Sequence, residues 1–471
     1  MPVINILAPS DPNKSVDQNS AKLINMYLSI DNSGGLYEIG AYPTPGLTIF
    51  GTIATSPIRA LFEEHGVLYV VAGNKFCSVN SAGVSAVLGT LNTSTGFAKI
   101  RGISQQIMII DGTNGYIWNL ATVTFSTITD VNFTNTATDL NAQDEFFMVV
   151  EPNSQTWQIC SISDGTLWTV SFLPAFASVT GNENNLVAIW SLQRQLWMFS
   201  EDTTEIWYNA GNANFTFARN SAAYIEMGCV SRDAIAYADN TLFFLGKSRT
   251  GGPVVVRMNG YSPEVISTKG INYQLSTYTT LSDAIGIAYQ QEGHEFYVLT
   301  FPTEGVTWSY DVTTKAWAQR QSLIGGVQTR WLPNSYVYCY NKQLVGDPNS
   351  GNIYRLDMTN FTDNGAAITR TIQASPFYAA GALQIVDRFH LDLDQTPGAS
   401  LSQISLYVSR DGGNTFGSAK AASPQQDQWG RWRVYWTRLG GARYYCLKIV
   451  TSMAAKFIVL GAWITAGLGD V

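Results

Sequence analysis

The sequence predicts an all-β protein built on a β-propeller, with an extended N-terminal arm and a C-terminal β-sandwich. Three observations support this prediction: a hairpin phrase that recurs along the chain, a composition rich in turn and aromatic residues, and the near absence of helical periodicity. The 471 residues include 41 Gly, 13 Trp, 23 Tyr and 22 Phe, a balance typical of turn-rich β proteins. A chain of this length exceeds one ordinary core, so we expect several domains or one large repeat architecture.

The recurring phrase is a short apolar strand, a polar turn and an alternating strand that carries aromatic or aliphatic pairs. Each copy is predicted to form a β-hairpin, because Gly, Asn, Asp or Pro supplies the turn between two runs rich in Val, Ile, Phe, Tyr and Trp. The copies begin at Leu68, Ile107, Phe146, Leu196, Leu242, Phe296 and Lys342.

Most copies follow another short apolar run, seen at 58–62, 186–190, 234–237 and 284–289. Small apolar residues suit an inner strand, where blades crowd the central axis, and a repeat of roughly 40 to 50 residues is typical of propellers. We expect seven blades, with six as the alternative if the copy from Phe146 lies outside the ring. A string of unrelated hairpins in sandwich domains is the competing interpretation, because the spacing is not strict.

Three regions follow from this pattern. Residues 1–55 contain Pro, Asn, Ser and Gly breaks and little periodicity, which predicts an extended arm. Residues 56–368 hold the repeats and are predicted to form the propeller. Residues 369–471 contain alternating strands without a further copy of the phrase, which predicts a separate β-sandwich.

Charge is sparse and slightly acidic. Charged residues make up 13% of the chain and the formal net charge is −7, whereas soluble globular chains carry roughly 25% charged residues. The few charges suit a subunit buried in an assembly. Because no basic run occurs, wrapping DNA by phosphate neutralisation is not expected; DNA that merely passes by is compatible with this composition.

The cysteines and the chain ends indicate a protein folded in a reducing compartment. Five dispersed cysteines without a C-x-x-C pair predict reduced core thiols, as in a protein assembled in cytoplasm; they are Cys77, Cys160, Cys229, Cys339 and Cys446. The N-terminus lacks the basic and apolar regions of a signal peptide. The apolar stretch 457–467 is too short to cross a bilayer, so we expect no membrane span.

No motif for catalysis, metal binding or cofactor binding stands out, so we expect a protein that is not an enzyme and needs no cofactor. His65 and His294 lie in predicted turns and His390 in a predicted strand, and each is interpreted as structural. Trp207, Tyr208 and Trp308 could stack on sugars if exposed, but core packing is the favoured interpretation.

One motif resembles the Asp-box of sialidases: Ser409-Arg410-Asp411-Gly412-Gly413-Asn414-Thr415-Phe416. Its Asp411 carboxylate is predicted to cap backbone N–H groups, while Gly412 or Gly413 adopts a positive φ. This is a folding element, and a sialidase would also need an arginine cluster and a tyrosine nucleophile. The pair Asn364-Gly365 is likewise predicted to form a turn.

Several phrases resemble one family. They are the N-x-Y of Asn25 and Tyr27, the P-G-L-x-x-F that starts at Pro45 and Gly46, and the stretch 289–302 containing Glu292, Gly293 and His294. Further phrases lie at 351–357, 407–413 and 436–440. Together they are similar to the packaged-DNA stabilisation proteins, also called tail hub or nozzle proteins, of short-tailed bacteriophages. The similarity covers nearly the whole chain and is weakest from 130 to 180.

This resemblance implies a homo-oligomeric ring, expected to be a hexamer, below the head-to-tail adaptor and portal proteins. The ring would close the DNA exit, retain the packaged genome, anchor tail spike or fibre and plug or needle proteins, and later form part of the ejection conduit. Double-stranded DNA would pass without sequence-specific binding. The expected location is the virion tail, after assembly in the host bacterial cytoplasm. A carbohydrate- or receptor-binding tail protein and a glycan hydrolase remain alternatives.

Overall fold

The structure is a computed structural model that describes residues 6–168, 173–174, 184–212, 215–378, 382–394 and 403–469. Within these residues, helix is confined to α1 (Lys269–Thr277) and one 3-10 turn (Arg232–Ala234). The N-terminal segment, predicted to be an extended arm, contains four strands. They are β1 (Lys22–Ile24), β2 (Met26–Ile30), β3 (Ile39–Pro43) and β4 (Gly46–Thr52).

The middle of the chain forms consecutive antiparallel sheets, numbered here in chain order. Sheet 1 contains β5 (Ile58–Glu64), β6 (Val67–Ala72), β7 (Lys75–Val79) and β8 (Ser85–Thr90); sheet 2 contains β9 (Lys99–Ile103), β10 (Gln106–Ile110), β11 (Gly115–Asn119) and β12 (Thr124–Thr127). Sheet 3 contains β13 (Asp139–Gln143), β14 (Phe146–Val150), β15 (Thr156–Ile159) and β16 (Leu173–Pro174); sheet 4 contains β17 (Leu186–Leu192), β18 (Gln195–Ser200), β19 (Thr204–Asn209) and β20 (Phe217–Ile225).

The remaining propeller sheets follow the same order with two variations. Sheet 5 has a divided inner strand, β21 (Gly228–Cys229) and β22 (Ala236–Ala238), beside β23 (Thr241–Lys247), β24 (Val254–Asn259) and β25 (Ser262–Val265). Sheet 6 contains β26 (Ile285–Gln291), β27 (His294–Phe301), β28 (Val306–Asp311) and β29 (Ala316–Gln319), and the hairpin β30 (Gln321–Ile324) and β31 (Val327–Arg330) follows it. Sheet 7 contains β32 (Ser335–Cys339), β33 (Lys342–Gly346) and β34 (Asn352–Asp357), with β4 as its outer strand.

The predicted hairpins are confirmed in these sheets. All the copies of the phrase form the second and third strands of a sheet, and the upstream runs at 58–62, 186–190 and 284–289 lie in first strands. The run at 234–237 spans the 3-10 turn and β22. Second strands such as β10 and β14 are buried along their whole length, because each sheet packs between two neighbours. Short uninterrupted apolar runs are typical of such strands.

The sheets close into a cycle, which confirms the predicted β-propeller class. Inner strands of successive sheets are in contact, and β32 of sheet 7 packs against β5 of sheet 1. The closure depends on the N-terminal segment, because β4 pairs antiparallel with β34 from Asn352↔Thr52 to Asp357↔Gly46. The structure therefore differs from the expected arm: residues 46–52 belong to the propeller, where they cover the otherwise unpaired edge of β34.

The C-terminal strands form two facing sheets. Their strands are β37 (Arg370–Gln373), β38 (Phe377–Tyr378), β39 (Leu383–Asp394), β40 (Ile404–Ser409), β41 (Lys420–Ala422), β42 (Gln425–Gln426), β43 (Trp432–Ala442), β44 (Tyr444–Thr451) and β45 (Ile458–Gly469). The short strands β35 (Thr362–Asp363) and β36 (Ala366–Ala367) instead extend sheet 7 beyond β4. One sheet has the order β2-β3-β45-β39-β43-β42 and the other continues as β1-β37-β44-β40-β41. A single apolar core, including Phe389, Trp436 and Ile449, fills the space between them.

The sandwich and the propeller share a strand. β1 pairs in parallel with β29 at Ile24↔Gln319 and antiparallel with β37 at three positions. One hydrogen-bonded sheet therefore runs from sheet 6 of the propeller into the sandwich. Because β2 and β3 also complete the second sandwich sheet, the N-terminal segment contributes to both bodies.

Candidate functional site

Asn25 ties three parts of the chain together at the start of the N-terminal segment. Its side-chain Nδ2 donates to the carbonyl oxygens of Gln321 at 3.0 Å and Thr369 at 2.8 Å, and its Oδ1 accepts from the Gln321 N–H at 2.8 Å. Asn25 is buried and adopts a φ of 56°, a conformation that Asn tolerates better than most residues. Asn25 therefore holds the segment that follows sheet 6 beside the segment that leads into the sandwich.

Tyr27 joins the same segment to the first hairpin turn of sheet 6. Its hydroxyl donates to Glu292 Oε2 at 2.8 Å, and its ring meets the His294 ring edge-on at a centroid distance of 4.9 Å. Burial, followed by the hydrogen bond to Glu292, raises the pKa of Tyr27 well above its usual range. Glu292 and Gly293 have φ values of 47° and 83°, as a two-residue hairpin turn requires. His294 Nδ1 lies 2.7 Å from Asp311 Oδ2.

Pro45 precedes the closing strand β4 and Gly46 begins it. Asn364 and Gly365 form the turn that packs beside this strand. A Cβ at Gly46 would lie 2.5 Å from the carbonyl oxygens of Asn360 and Thr362, so glycine is required by this close backbone approach. The Asn364 N–H donates to the Leu47 carbonyl at 2.8 Å. The φ values of Asn364 and Gly365, 48° and 87°, confirm the predicted turn.

The Asp-box motif folds its own turn, as predicted. Asp411 Oδ1 accepts from the Ser409 hydroxyl at 2.6 Å and from the Thr415 N–H at 2.9 Å. These hydrogen bonds and that of the Thr415 hydroxyl hold the pKa of Asp411 far below its usual range. Gly412 and Gly413 have positive φ values, and a Cβ at Gly412 would meet the Asp17 carboxylate at 2.6 Å. The turn therefore packs against the N-terminal segment.

The residues singled out in the sequence thus gather at joints made by residues 16–47. These residues are Asn25, Tyr27, Pro45, Gly46, Glu292, Gly293, His294, Asn364, Gly365, Asp411, Gly412 and Gly413. Their interactions are those of a scaffold: backbone capping, close backbone approach and ring packing. Among them, Asn25 links the end of sheet 6 to the start of the sandwich.

The histidines and tryptophans considered in the sequence occupy different environments. The His65 side chain is 61% exposed in its turn, whereas His390 stacks on Trp463 at a centroid distance of 5.2 Å. Trp207 and Trp308 are buried, so they cannot stack on a sugar, and the core-packing interpretation is confirmed for both. Tyr208 is 44% exposed.

The axis of the propeller holds a charged cavity that was not predicted from the sequence. It measures about 570 Å³ and is lined by residues that include Arg59, Lys99, Arg101, Arg232, Asp233 and Asp283. These cations lie far apart in the sequence, and the ring brings their strands to one axis. The sequence contains no basic run, yet the fold gathers these cations around one axis.

A fully buried carboxylate organises one side of this axis. Asp139 on β13 pairs with the Lys99 ammonium on β9 and accepts from the Ile189 N–H on β17 at 2.8 Å. It therefore links the inner strands of three successive sheets. The Asn141 side chain adds a bond to the Ile189 carbonyl at 2.9 Å. Burial lowers the pKa of Lys99, and the neighbouring Asp139 opposes that shift.

The Arg59 guanidinium forms hydrogen bonds only with uncharged acceptors among the described residues. It donates to the carbonyl oxygens of Gly73, Thr93, Gly96 and Phe97 and to the Thr93 hydroxyl. All its donors are therefore used to hold the connection between sheets 1 and 2. Arg232 donates to the Thr138 carbonyl at 2.5 Å and lies 3.4 Å from the Asp233 carboxylate.

Among the described residues, no group of three or more His, Cys, Asp and Glu side chains is arranged to hold a metal ion. No helix in the described part of the chain is long and apolar enough to cross a membrane. All five cysteines are free and buried, which confirms the predicted core thiols.

Comparison with known proteins adds the family. The profile of the family described as "Bacteriophage P22 Gp10, beta-propeller" matches residues 4–361 of the 471. No curated protein sequence matches the chain. Similar solved structures include the N-terminal domain of Nup159 (8% identity, 72% of this chain and 99% of that chain, TM-score 0.43) and BamB from Moraxella catarrhalis (10%, 72% and 98%, TM-score 0.40). These structural similarities are too low to support a conclusion. The family profile covers most of the chain, and the observed fold is the propeller named in the description of that family. The chain therefore belongs to the phage packaged-DNA stabilisation family typified by Gp10 of bacteriophage P22.

Proposed function

We propose that the chain is the tail hub, or nozzle, subunit of a short-tailed phage and acts as part of a ring that closes the DNA exit. The observation that carries this proposal is the family match over residues 4–361. In the proposed assembly, six copies sit below the portal and adaptor proteins, retain the packaged genome, anchor the distal tail proteins and later open as part of the ejection conduit.

The joints made by the N-terminal segment support a role in which the subunit resists mechanical force. Opening the propeller would break the ladder of six residue pairs between β4 and β34. Pulling the sandwich away would break the β1–β37 and β1–β29 pairings and the Asn25 bonds. Such a subunit keeps its shape when force acts between the propeller and the sandwich. A protein that closes the DNA exit against the pressure of the packaged genome needs this property.

One end of the propeller carries acidic turns that suit a wall along a DNA path. The turns between first and second strands emerge on one face of a propeller. Here these turns and the strand ends beside them carry Glu63, Glu64, Asp144, Glu145, Asp239 and Glu292. Arg194 lies among them and pairs with Asp144 at 3.2 Å. Asp239 likewise pairs with Arg257 at 2.5 Å. In the proposal this end faces the DNA, because its carboxylates outnumber these arginines and repel phosphates, which lets the duplex slide.

The proposed role needs neither a cofactor nor bond-making chemistry, so we expect purified protein to leave capsule and sialyl substrates intact. Retention is the direct test of function. Phage particles that lack this chain should lose their DNA after packaging, and added purified protein should restore the nuclease-resistant genome in each particle. Particles that keep a full genome without the chain would contradict the proposal.

A further inference from the structure

The axial cavity contains a guanidinium, that of Arg101, with neither a carboxylate at ion-pair distance nor a full set of hydrogen-bond acceptors among the described residues. Arg101 on β9 donates from Nη1 to the Ile100 carbonyl at 2.8 Å. Among the described residues, no carboxylate oxygen lies within 4.0 Å of its nitrogens, whereas Lys99 pairs with Asp139 and Arg232 with Asp233. Apart from that bond, the Arg101 donors have no hydrogen-bond acceptor within the described part of the chain.

The surroundings withdraw this guanidinium partly from water. Arg101 follows Lys99 by two residues on one strand, so both side chains lie on the same face of β9. The Arg101 Cζ lies 5.8 Å from the centre of the Trp190 ring, and burial lowers the pKa of Arg101. Arg101 is half-buried, and a cation that is partly withdrawn from water is stabilised by a bound anion or an acceptor.

We propose that Arg101 binds a small oxyanion, a phosphate or a carboxylate group, inside the axial cavity. A guanidinium offers a planar set of donors that matches two oxygens of either group. The cavity of about 570 Å³ has the size of a small-molecule site. Lys99 and Arg232 are each offset by a paired carboxylate, and Asp233 and Asp283 in the same wall disfavour highly charged anions. This site is separate from the proposed closure of the DNA exit and does not depend on it.

Calorimetric titration of the purified full-length chain tests the site. Orthophosphate and acetate are titrated separately at constant ionic strength, with chloride as the balancing anion. The wild type should bind at least one of them saturably; tighter phosphate binding assigns a phosphate group, and tighter acetate binding a carboxylate. R101Q should weaken binding about tenfold or more, whereas R194Q, which removes a cation from an exposed turn, should bind like the wild type.

A second variant acts in the opposite direction. D233N removes a negative charge from the cavity wall and releases Arg232, so the preferred anion should bind about threefold tighter or more. The preferred anion should also raise the Tm of the wild type but not of R101Q. In chloride alone, R101Q should be no less stable than the wild type, because it loses no ion pair.

Three results would overturn the site. They are the absence of saturable phosphate and acetate binding by the wild type, equal affinities of wild type and R101Q, and a large loss of stability of R101Q in chloride, which would make Arg101 a structural residue. If R101Q does not fold, an unchanged affinity of D233N for the preferred anion has the same consequence.

Discussion

The propeller axis and the sandwich core stabilise the same chain by different interactions. At the axis, buried polar groups such as Asp139 and Asn141 connect the inner strands of successive sheets. In the sandwich, a continuous apolar core that includes Phe389, Leu391 and Trp436 joins two sheets. Polar links are directional and fix how neighbouring sheets are aligned, whereas apolar burial supplies stability in proportion to area. The comparison indicates that the axis is the more sensitive region.

The largest expected effect is at the axis. D139N leaves the Lys99 ammonium buried without its carboxylate, so the free energy of unfolding should fall by about 3–5 kcal/mol, as measured by denaturant titration. D239N is the matched control, because the Asp239–Arg257 pair is partly exposed, and it should cost less than about 1 kcal/mol. A loss at D139N as small as that at D239N would contradict the importance of the axial pair.

The sandwich core should be destabilised when a buried side chain is shortened. L391A removes a fully buried side chain and should lower the free energy of unfolding by about 3 kcal/mol. The double variant D139N/L391A sharpens the comparison, since effects at distant independent sites add. A non-additive result would show that β1 couples the two regions more tightly than their separate cores suggest.

The next prediction concerns β4, the strand of the N-terminal segment that closes the propeller. G46V forces a side chain against the Asn360 and Thr362 carbonyls and should cost about 2–3 kcal/mol. G35A is the matched control, because a Cβ at Gly35 would meet no atom within 4 Å. In the retention assay, G46V should restore fewer genomes than G35A. Equal stability of the two variants would contradict the close packing of β4.

A smaller effect is expected at the Tyr27 joint. Y27F removes the hydrogen bond to Glu292 but keeps the buried ring, so the loss should be about 1 kcal/mol. Y208F, at a tyrosine that is 44% exposed, should leave thermal unfolding unchanged. A Y27F variant as stable as Y208F would show that the ring contacts alone hold this joint.

The smallest expected effect is a difference in thiol reactivity between the propeller and the sandwich. Burial raises the pKa of Cys229 in the propeller to about 12 and that of Cys446 in the sandwich to about 11. Neither should react with a thiol reagent in the native wild type at pH 8. In L391A, Cys446 should become reactive before Cys229, and mass spectrometry of the labelled peptides checks the order. The reverse order would place the weak point in the propeller.

The same two regions show what the sequence can predict. Local apolar patterns predicted the hairpins and the alternating strands of the sandwich, because each hairpin depends on neighbouring residues and turn chemistry. The axial network was not predictable, since Asp139 meets partners 40 and 50 residues away. β4 was also missed: its partner strand β34 lies some 300 residues later in the chain. Asn25 and Tyr27 were identified by resemblance alone, and their partners became visible only in the fold.

The central claim is that this chain closes the DNA exit as a ring. Electron-microscopic reconstruction of DNA-filled particles, compared with particles that lack the chain, tests it most directly. The account predicts a six-fold ring below the adaptor, with propeller density around the DNA path and the acidic turns toward the duplex. Density for the chain away from the exit, or single copies without a ring, would contradict it.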